Sequence, residues 1–287
     1  MTMNIRPLTE HLGAEVTGID LSAELERHVD PLRAAFLDRS VLVVRDQHLT
    51  EEQFVRLGRS FGPLEPYEST VKQFLMPSHP DILVLSNRVK DGKPVGIRDA
   101  GQYWHTDRSY VKDPAWSSLL HAILLPVDAQ GVTRGNTQFT STVAAFAALP
   151  EAVRQRLRGL QAVHRYVYRY TKAPDNRLPD VVHPVVMRHP YNGREILYIN
   201  KGFTFGIQDM AQEESDALLE QLYAHVAQPQ FVYTHQWRPG DVLMWDNFAT
   251  QHNAVADYEL PLERLMWRTT VRAPTGYAGV AAGSHSI

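Results

Sequence analysis

The sequence contains no cysteine, and this absence removes several kinds of site at once. Disulfide bonds, thiolate-bound metals and cysteine nucleophiles are all excluded. The chain also lacks a basic excess, because 29 Lys and Arg stand against 32 Asp and Glu and the net charge is −3 with histidine neutral. We therefore expect no nucleic-acid partner.

Long apolar runs are missing as well. No stretch approaches about 20 consecutive apolar residues, the length that a membrane-spanning helix needs. The opening residues, MTMNIRPLTEHLGAEV, contain no apolar run of the kind found in a signal peptide or an anchor. No Ser/Gly-rich or charge-rich linker divides the 287 residues. We expect a single domain over residues 1–287, a cytoplasmic location and no membrane partner.

Short strands dominate the predicted secondary structure. Segments rich in Val, Leu, Ile and Tyr and bounded by turn residues predict strands at 41–45, 81–86, 117–125, 161–169, 184–188, 195–200, 230–235 and 241–245. Apolar residues at helical spacing predict helices over 29–39, 150–160 and 211–227. Thr50 followed by Gln53 predicts a capping box at the start of another helix.

Loops are predicted at 88–101 and 170–182, where polar and turn-forming residues concentrate. Many short strands and few helices indicate a mostly β fold with flanking helices, as an antiparallel sandwich or barrel. Periodicity alone does not choose between a jelly roll and other β architectures.

A candidate metal site begins with His105 and Asp107. Two residues apart on an extended chain, their side chains project to the same side and bring an imidazole nitrogen near a carboxylate oxygen. His252, which follows the segment GDVLMWDN (240–247), is a candidate third ligand. Two histidines and one carboxylate on one face of iron(II) leave three coordination positions open, enough for a bidentate co-substrate and dioxygen.

Ligand chemistry alone does not single out His252. A His-x-Asp pair is a common chance pattern, and a lone histidine is as often a core residue that satisfies a hydrogen bond. The alternative histidines are His121, His164, His183, His189, His225 and His235.

Short motifs follow one another along nearly the whole chain. They are LGAEVTGIDL (12–21), VLVVR (41–45), FGP (61–63), WHTD (104–107), GNT (135–137), HPVV (183–186), INKGFT (199–204), WDN (245–247), TQHNAVADY (250–258) and RLMWR (264–268). In this order and spacing they resemble the taurine dioxygenase family, which includes the 2,4-dichlorophenoxyacetate dioxygenases.

The resemblance implies a double-stranded β-helix (jelly roll) with Fe(II) at one mouth, 2-oxoglutarate as co-substrate and O2 as oxidant. It selects His252 as the third ligand beside His105 and Asp107. It also implies that Thr137 and Arg264 bind 2-oxoglutarate, and that Arg268 faces an anionic group of the substrate. The planar guanidinium suits these roles because it grips a carboxylate through two parallel hydrogen bonds.

Departures from the taurine enzyme concern the substrate pocket. Its asparagine four residues before the first iron ligand is Gly101 here, and its histidine after the FGP block falls near Tyr67. The turn that ends at Thr137 is longer and contains Arg-Gly-Asn-Thr. Phe203 matches the phenylalanine that packs on taurine. The resemblance therefore carries over iron and 2-oxoglutarate but not taurine as the substrate.

The candidate substrate-facing residues lie near the metal motifs or in loops. They are Arg268, Tyr67, Phe203, Tyr103, Asn87, Arg108 and Tyr110. Loops at 66–76, 88–101 and 170–182 are candidate lids over the site. The family's members commonly form dimers or tetramers, which implies a homodimer or homotetramer here.

These observations predict hydroxylation of a C–H bond in a small carboxylate or sulfonate, with release of succinate and CO2. Desaturation, or isonitrile-forming oxidative decarboxylation in natural-product biosynthesis, is the alternative with the same cofactors. A metal-free β-sandwich binding protein and a hydrolytic zinc enzyme are the competing classes. The intact ligand set and Arg264 argue against the first of these classes, and the resemblance to iron enzymes argues against the second.

Overall fold

The computed structural model describes residues 2–67, 69–98, 101–166 and 178–273. The strands, in chain order, are β1 (Asn4–Pro7), β2 (Ala14–Thr17), β3 (Val41–Val44), β4 (Leu83–Ser86), β5 (Val89–Lys90), β6 (Lys93–Pro94), β7 (Ala115–Leu124), β8 (Thr137–Ser141), β9 (Gln161–His164), β10 (Val181–Pro184), β11 (Val186–Arg188), β12 (Glu195–Leu197), β13 (Thr204–Ile207), β14 (Val232–His235), β15 (Val242–Asp246), β16 (Thr250–Ala254) and β17 (Leu265–Arg272). The α-helices are α1 (Leu25–Arg39), α2 (Glu51–Phe61), α3 (Thr142–Ala147), α4 (Glu151–Arg158) and α5 (Gln212–Val226), and short 3-10 turns cover Ser69–Phe74 and Pro229–Phe231.

The strands form a jelly roll, as the resemblance predicted. The main sheet has the order β1-β2-β3-β15-β7-β17-β4, and a smaller sheet has the order β14-β8-β16. Strands β9, β10 and β13 form a third sheet, while β11 pairs with β12 and β5 with β6. Apart from the parallel pair β2–β3, the pairings are antiparallel within the described ranges.

The centre of the main sheet is buried on both faces, and for this reason the sequence of β3 is apolar without alternation. Val41 and Val43 face the smaller sheet and share a core with Phe139 of β8. Leu42 and Val44 face the opposite way, into a core that helices α1 and α2 close. Because both faces of the strand are covered, no position along it is left for a polar side chain.

Helix α2 begins at the predicted capping box, which is confirmed. The Thr50 hydroxyl accepts from the Gln53 backbone N–H, and the Gln53 side chain accepts from the Thr50 backbone N–H. Two of the N–H groups at the end are satisfied in this way. Phe54, Leu57 and Phe61 are buried along the helix, also as predicted.

Several predicted boundaries need correction. The strand predicted at 161–169 ends at His164, and residues 167–169 lie outside the described residues. The segment 184–188 divides between β10 and β11. The 88–101 loop contains the β5–β6 hairpin, although 99 and 100 lie outside the described residues. Of the 170–182 loop only 178–182 is described, and residue 68 of the 66–76 loop also lies outside the described residues.

Within the described ranges, none of the helices combines the length and the apolarity that crossing a bilayer requires.

His164, at the end of β9, makes the stability of the fold sensitive to acid. Its side chain is fully buried, and burial, followed by the neighbouring His183, lowers its pKa well below the ordinary 6.5. The unfolded chain therefore binds a proton more readily than the folded one, so this stability is present above about pH 6.5 and is lost as pH falls. The loss approaches about 1.4 kcal/mol per pH unit.

We expect His164→Phe to reduce the dependence of the free energy of unfolding on pH between pH 7 and 5, by up to about 1.4 kcal/mol per unit. Chemical denaturation of the metal-free protein across this range measures the slope. His48→Phe is the control, because the side chain of His48 is 84% exposed and its replacement should leave the slope unchanged. An unaltered slope in His164→Phe would contradict the assignment.

Candidate metal and 2-oxoglutarate site

His105 and His252 are neighbours because their backbones pair. The N–H of each donates to the carbonyl of the other, at 3.0 and 2.8 Å, in an isolated antiparallel bridge. Their ring centroids are 4.1 Å apart. His252 lies on β16, so the smaller sheet positions one imidazole and the bridge positions the other.

Asp107 completes the cluster, two residues beyond His105. Its Oδ1 lies 3.7 Å from Nε2 of His105 and 3.8 Å from Nε2 of His252. The three potential ligand atoms lie within 4.8 Å of one another, and all three residues are buried. Among the described residues this is the one group of His, Asp and Glu side chains with such geometry. The donor set suits iron(II), for which two imidazoles and a carboxylate leave one face of the ion open.

The hydrogen bonds and pKa shifts support ligand roles. Nδ1 of His105 lies 2.8 Å from the carbonyl of Tyr103, which fixes the proton there and leaves the lone pair of Nε2 toward Asp107. Burial lowers the pKa of His105, and it lowers that of His252 further, so both rings are neutral near pH 7. Neutral imidazole is the form that binds a metal.

Asp107 stays ionised although it is buried. Burial alone would raise its pKa, but the guanidinium of Arg268, together with the hydrogen bond from Ser118, lowers the pKa overall. Nη2 of Arg268 lies 2.6 Å from Oδ2, and the hydroxyl of Ser118 donates to the same oxygen at 2.7 Å. One carboxylate oxygen is therefore held by donors, and the other faces the imidazoles.

Arg264 lies just before β17 and is a buried cation without an acidic partner among the described residues. It is 9% exposed, burial lowers its pKa, and its Nε has no hydrogen-bond partner within the described part of the chain. A hydrogen bond with Tyr258 opposes the shift only in part. A buried guanidinium is costly unless an anion pairs with it, so this environment fits a carboxylate ligand.

Thr137 is connected to Arg264 through one indole. The N–H of Trp237 donates to Oγ1 of Thr137 at 3.1 Å, and the Trp237 ring centroid lies 5.9 Å from the Arg264 guanidinium carbon. The Thr137 hydroxyl proton is therefore directed away from the indole. In the β8–β16 pairing, Thr137 lies opposite Ala254, and Ala254 is two residues beyond His252 on the same strand.

Glycine is required at 135 beside this cleft. Its φ of +73° is left-handed, and a Cβ there would lie 2.7 Å from the ring of Tyr258. The same Cβ would approach Cδ of Arg264 to 3.5 Å. The Arg-Gly-Asn-Thr turn thus lets its backbone pass close to the Tyr258–Arg264 pair.

Aromatic candidates for the substrate pocket cluster around His105. The ring centroid of Phe203 lies 5.9 Å from that of His105, 6.1 Å from that of Tyr103 and 4.8 Å from that of Tyr110. Tyr110 also stacks on Tyr166 at 4.3 Å. Tyr103 and Phe203 line an adjoining surface depression of about 290 Å³.

The position of Gly101 has no room for a side chain. Its φ is +72°, and a Cβ would come within 2.4 Å of Cε1 of His105. No side chain fits at this position unless the imidazole moves. Gly202 closes the other side, where a Cβ would lie 2.9 Å from Cβ of His105.

The remaining candidate residues occupy varied positions. The hydroxyl of Tyr67 donates to the backbone carbonyl of Arg268 at 3.1 Å. Arg108 pairs with Glu65 at 2.9 Å. Asn87 departs from the expectation of a substrate contact. Its amide donates to the carbonyl of Leu262 and accepts from the N–H of Arg264, each at 2.8 Å, so it shapes the chain before β17 instead.

Four residues outside the predicted set also contribute to the site. They are Ser118, Trp237, Asn247 and Tyr258. Asn247 and Tyr258 lie inside motifs that carry the resemblance, so their positions held a signal. Ser118 lies within a largely apolar strand and Trp237 in the loop between β14 and β15, and neither carries a pattern that separates it from ordinary core or loop residues.

Comparisons with known proteins show which proteins this chain resembles. The chain matches the model described as "Taurine catabolism dioxygenase TauD, TfdA family" over residues 4–270. The alpha-ketoglutarate-dependent 2,4-dichlorophenoxyacetate dioxygenase of Cupriavidus pinatubonensis is 33% identical over 290 residues, 94% of this chain and 98% of that protein. Pentalenolactone F synthase of Streptomyces arenae is 31% identical over 281 residues, 91% of each chain.

Solved structures show the same fold. A taurine dioxygenase from Burkholderia xenovorans superposes with a TM-score of 0.83 at 30% identity, covering 99% of this chain and 93% of that one. The structure of AAD-2 in complex with Mn(II) and N-oxalylglycine has a TM-score of 0.76 at 29% identity, covering 96% of this chain and 98% of that one.

Proposed function

The chain belongs to the TauD/TfdA family and is an Fe(II)- and 2-oxoglutarate-dependent dioxygenase, and from this premise we propose that it hydroxylates a C–H bond of a small anionic substrate. The observation that carries the substrate class is the buried Arg268 beside the candidate metal site: its Nη2 pairs with Asp107, but its Nε has no hydrogen-bond partner among the described residues. A carboxylate or sulfonate suits this cation. Succinate and CO2 are the co-products.

We assign the metal to Nε2 of His105, Oδ1 of Asp107 and Nε2 of His252. The bound iron, with 2-oxoglutarate and dioxygen, supplies the oxidising chemistry that a protein side chain lacks. The protein holds both imidazoles neutral and the carboxylate ionised, so the ligands need lose no proton near pH 7.

For 2-oxoglutarate we propose Arg264 and Thr137. Arg264 offers its planar fork to the distal carboxylate, and Thr137 offers its hydroxyl proton. The support is the lack of an acidic partner for Arg264 within the described residues, together with the shared contact of both residues to Trp237.

The substrate is proposed to lie between Arg268 and the aromatic cluster around Phe203. Arg268 orients the anionic group, while Phe203, Tyr103 and Tyr110 cover the carbon skeleton and exclude water. Tyr67, whose hydroxyl donates to the carbonyl of Arg268, is proposed to lie at the edge of this space, and Arg108, which pairs with Glu65, stays a candidate substrate contact. Apolar walls with a few placed polar groups are usual for small-molecule sites.

The proposal keeps a second reaction with the same cofactors, because the relatives of this chain are not all named as hydroxylating enzymes. A 31% identical relative is named a synthase, and a 30% identical relative from Acinetobacter baylyi is named alkylsulfatase. Desaturation or isonitrile-forming oxidative decarboxylation is the alternative to hydroxylation. Mass spectrometry of the product separates the three outcomes, since hydroxylation adds one oxygen atom, desaturation removes two hydrogens, and oxidative decarboxylation also removes CO2.

The test begins without oxygen. Fe(II) and 2-oxoglutarate added to the anaerobic protein should produce the visible charge-transfer band of the chelate. A screen of small carboxylates and sulfonates in air should then reveal substrate-dependent succinate formation, with parallel reactions that omit iron or 2-oxoglutarate as controls. If the wild-type protein shows no band, the cofactor assignment to these residues fails; if only uncharged compounds stimulate succinate formation, the anionic substrate class fails.

The same proposal includes a single domain over residues 1–287, a homodimer or homotetramer, and a cytoplasmic location. Light scattering after size-exclusion chromatography measures the assembly, limited proteolysis the domain organisation, and cell fractionation the compartment.

A further inference from the structure

Two strands of the main sheet supply donors to Oδ2 of Asp107, the oxygen that does not face the imidazoles. Ser118, on β7, is fully buried, and its hydroxyl donates to Oδ2 at 2.7 Å. Arg268, on β17, approaches the same oxygen at 2.6 Å. Arg268 already belongs to the proposed substrate site. Ser118 has no role in the activity so far.

Asn247, at the end of β15, determines the direction in which the Ser118 hydroxyl points. The indole N–H of Trp245, a donor only, lies 3.0 Å from one end of the Asn247 amide and so identifies that end as Oδ1. The other end, Nδ2, then donates to Oγ of Ser118 at 3.1 Å. Because Ser118 accepts this hydrogen bond, its own proton is directed to Asp107.

The amide of Asn247 also reaches the backbone of the same ligand. Its Oδ1 accepts from the N–H of Asp107 at 3.3 Å. One side chain thus binds the main chain of Asp107 directly and its carboxylate through Ser118. A closed ring of hydrogen bonds leaves the carboxylate little freedom to rotate.

The Asp246–Asn247 turn that carries the amide is itself firmly held. The N–H of Asn247 donates to the carbonyl of Trp116 at 2.8 Å, and Oδ1 of Asp246 accepts from the N–H groups of Phe248 and Ala249. The other oxygen of Asp246 lies 2.7 Å from Nε2 of His189. Rigid elements therefore fix the position of the amide.

We propose that Ser118 and Asn247 are positioning residues that restrict Asp107 to binding the metal through Oδ1 alone. The inference rests on the proposed metal site and deepens it. A carboxylate that binds a metal through both oxygens fills two coordination positions of the ion. When two donors occupy its second oxygen, it fills only one, and the other position stays open. That position is needed because 2-oxoglutarate and dioxygen together require three.

The test compares Ser118→Ala with Ser117→Ala. Ser117 is the adjacent residue of β7, equally buried, and its hydroxyl has no hydrogen-bond partner within the described residues. Both variants lose the same atom, but only Ser118→Ala breaks the ring. We expect Mn(II) affinity, measured by the electron paramagnetic resonance of the free ion, to fall about 10- to 100-fold in Ser118→Ala and less than about twofold in Ser117→Ala.

Further readouts separate positioning from general support of the fold. The anaerobic Fe(II)–2-oxoglutarate band should shift or weaken in Ser118→Ala and in Asn247→Asp, an isosteric change that removes the donor to Ser118. Ser118→Thr keeps the hydroxyl and should restore both affinity and band. Thermal denaturation of the metal-free variants records any purely structural effect.

The proposal is overturned if Ser118→Ala lowers thermal stability but binds Mn(II) like the wild type and keeps the wild-type band. If Ser118→Ala does not fold, Asn247→Asp tests the proposal instead, through its Mn(II) affinity and its anaerobic band. Failure of the proposed function would look different, because the wild-type protein itself would then show neither Mn(II) binding nor the band.

Discussion

His105→Ala should abolish substrate-dependent succinate formation and the anaerobic charge-transfer band together. The imidazole supplies one of the three proposed ligands, and its Nε2 faces Oδ1 of Asp107 at 3.7 Å, so its loss leaves a site that holds iron weakly. We expect kcat to fall by at least about a thousandfold, which corresponds to about 4 kcal/mol of transition-state stabilisation. A succinate assay at saturating 2-oxoglutarate measures it.

The control for this experiment is His225→Ala. His225 is a half-buried histidine on α5 whose ring nitrogen lies 2.7 Å from the carbonyl of Ala145, away from the candidate site. It should lose some stability and keep the band. A His105→Ala protein that retained the band would remove His105 from the ligand set, whatever its residual activity.

Local patterns in the sequence predicted the elements whose cause is local. The Thr50–Gln53 capping box sets the start of α2 within a few residues, and the apolar run 41–44 forms a strand covered on both faces. His105 and Asp107 lie near each other because two positions separate them along the chain. The jelly roll itself was predicted from the resemblance, not from periodicity.

The elements that were missed take their structure from pairing. β16 has the sequence TQHNA, which carries no apolar alternation, yet it is a strand because β8 pairs with all five of its residues. His252 is therefore placed by a register that spans more than 100 positions, and no spacing rule selects it from the other histidines. Ser118 is similar: its hydroxyl matters only because β15 brings Asn247 beside it.

The two arginines of the RLMWR motif differ in their partners. Arg264 lies just before β17 and Arg268 lies within it. Arg268 pairs with an anion of the protein, Asp107, whereas Arg264 has no acidic partner among the described residues. This contrast supports the proposal that Arg264 binds the distal carboxylate of 2-oxoglutarate.

Arg264→Leu should accordingly weaken 2-oxoglutarate binding while leaving the metal ligands intact. Truncating one partner of a buried charge pair costs about 2–5 kcal/mol, so the KM for 2-oxoglutarate should rise from about 30-fold to several thousandfold. Arg264→Lys keeps the charge but loses the fork, and its KM should lie between those of the wild type and Arg264→Leu. Mn(II) affinity without 2-oxoglutarate should stay within about twofold of the wild type in both.

Although Arg264→Leu should weaken 2-oxoglutarate binding, it should not lower the stability of the protein without 2-oxoglutarate. Without 2-oxoglutarate the wild-type protein buries a guanidinium that has no acidic partner within the described residues, so Arg264→Leu should be as stable as the wild type or more stable by about 1 kcal/mol. Added 2-oxoglutarate should raise the Tm of the metal-loaded wild type and not that of Arg264→Leu. Arg272→Leu, at the exposed end of β17, is the matched control and should keep the wild-type KM. A wild-type KM in Arg264→Leu would instead assign the distal carboxylate to another cation.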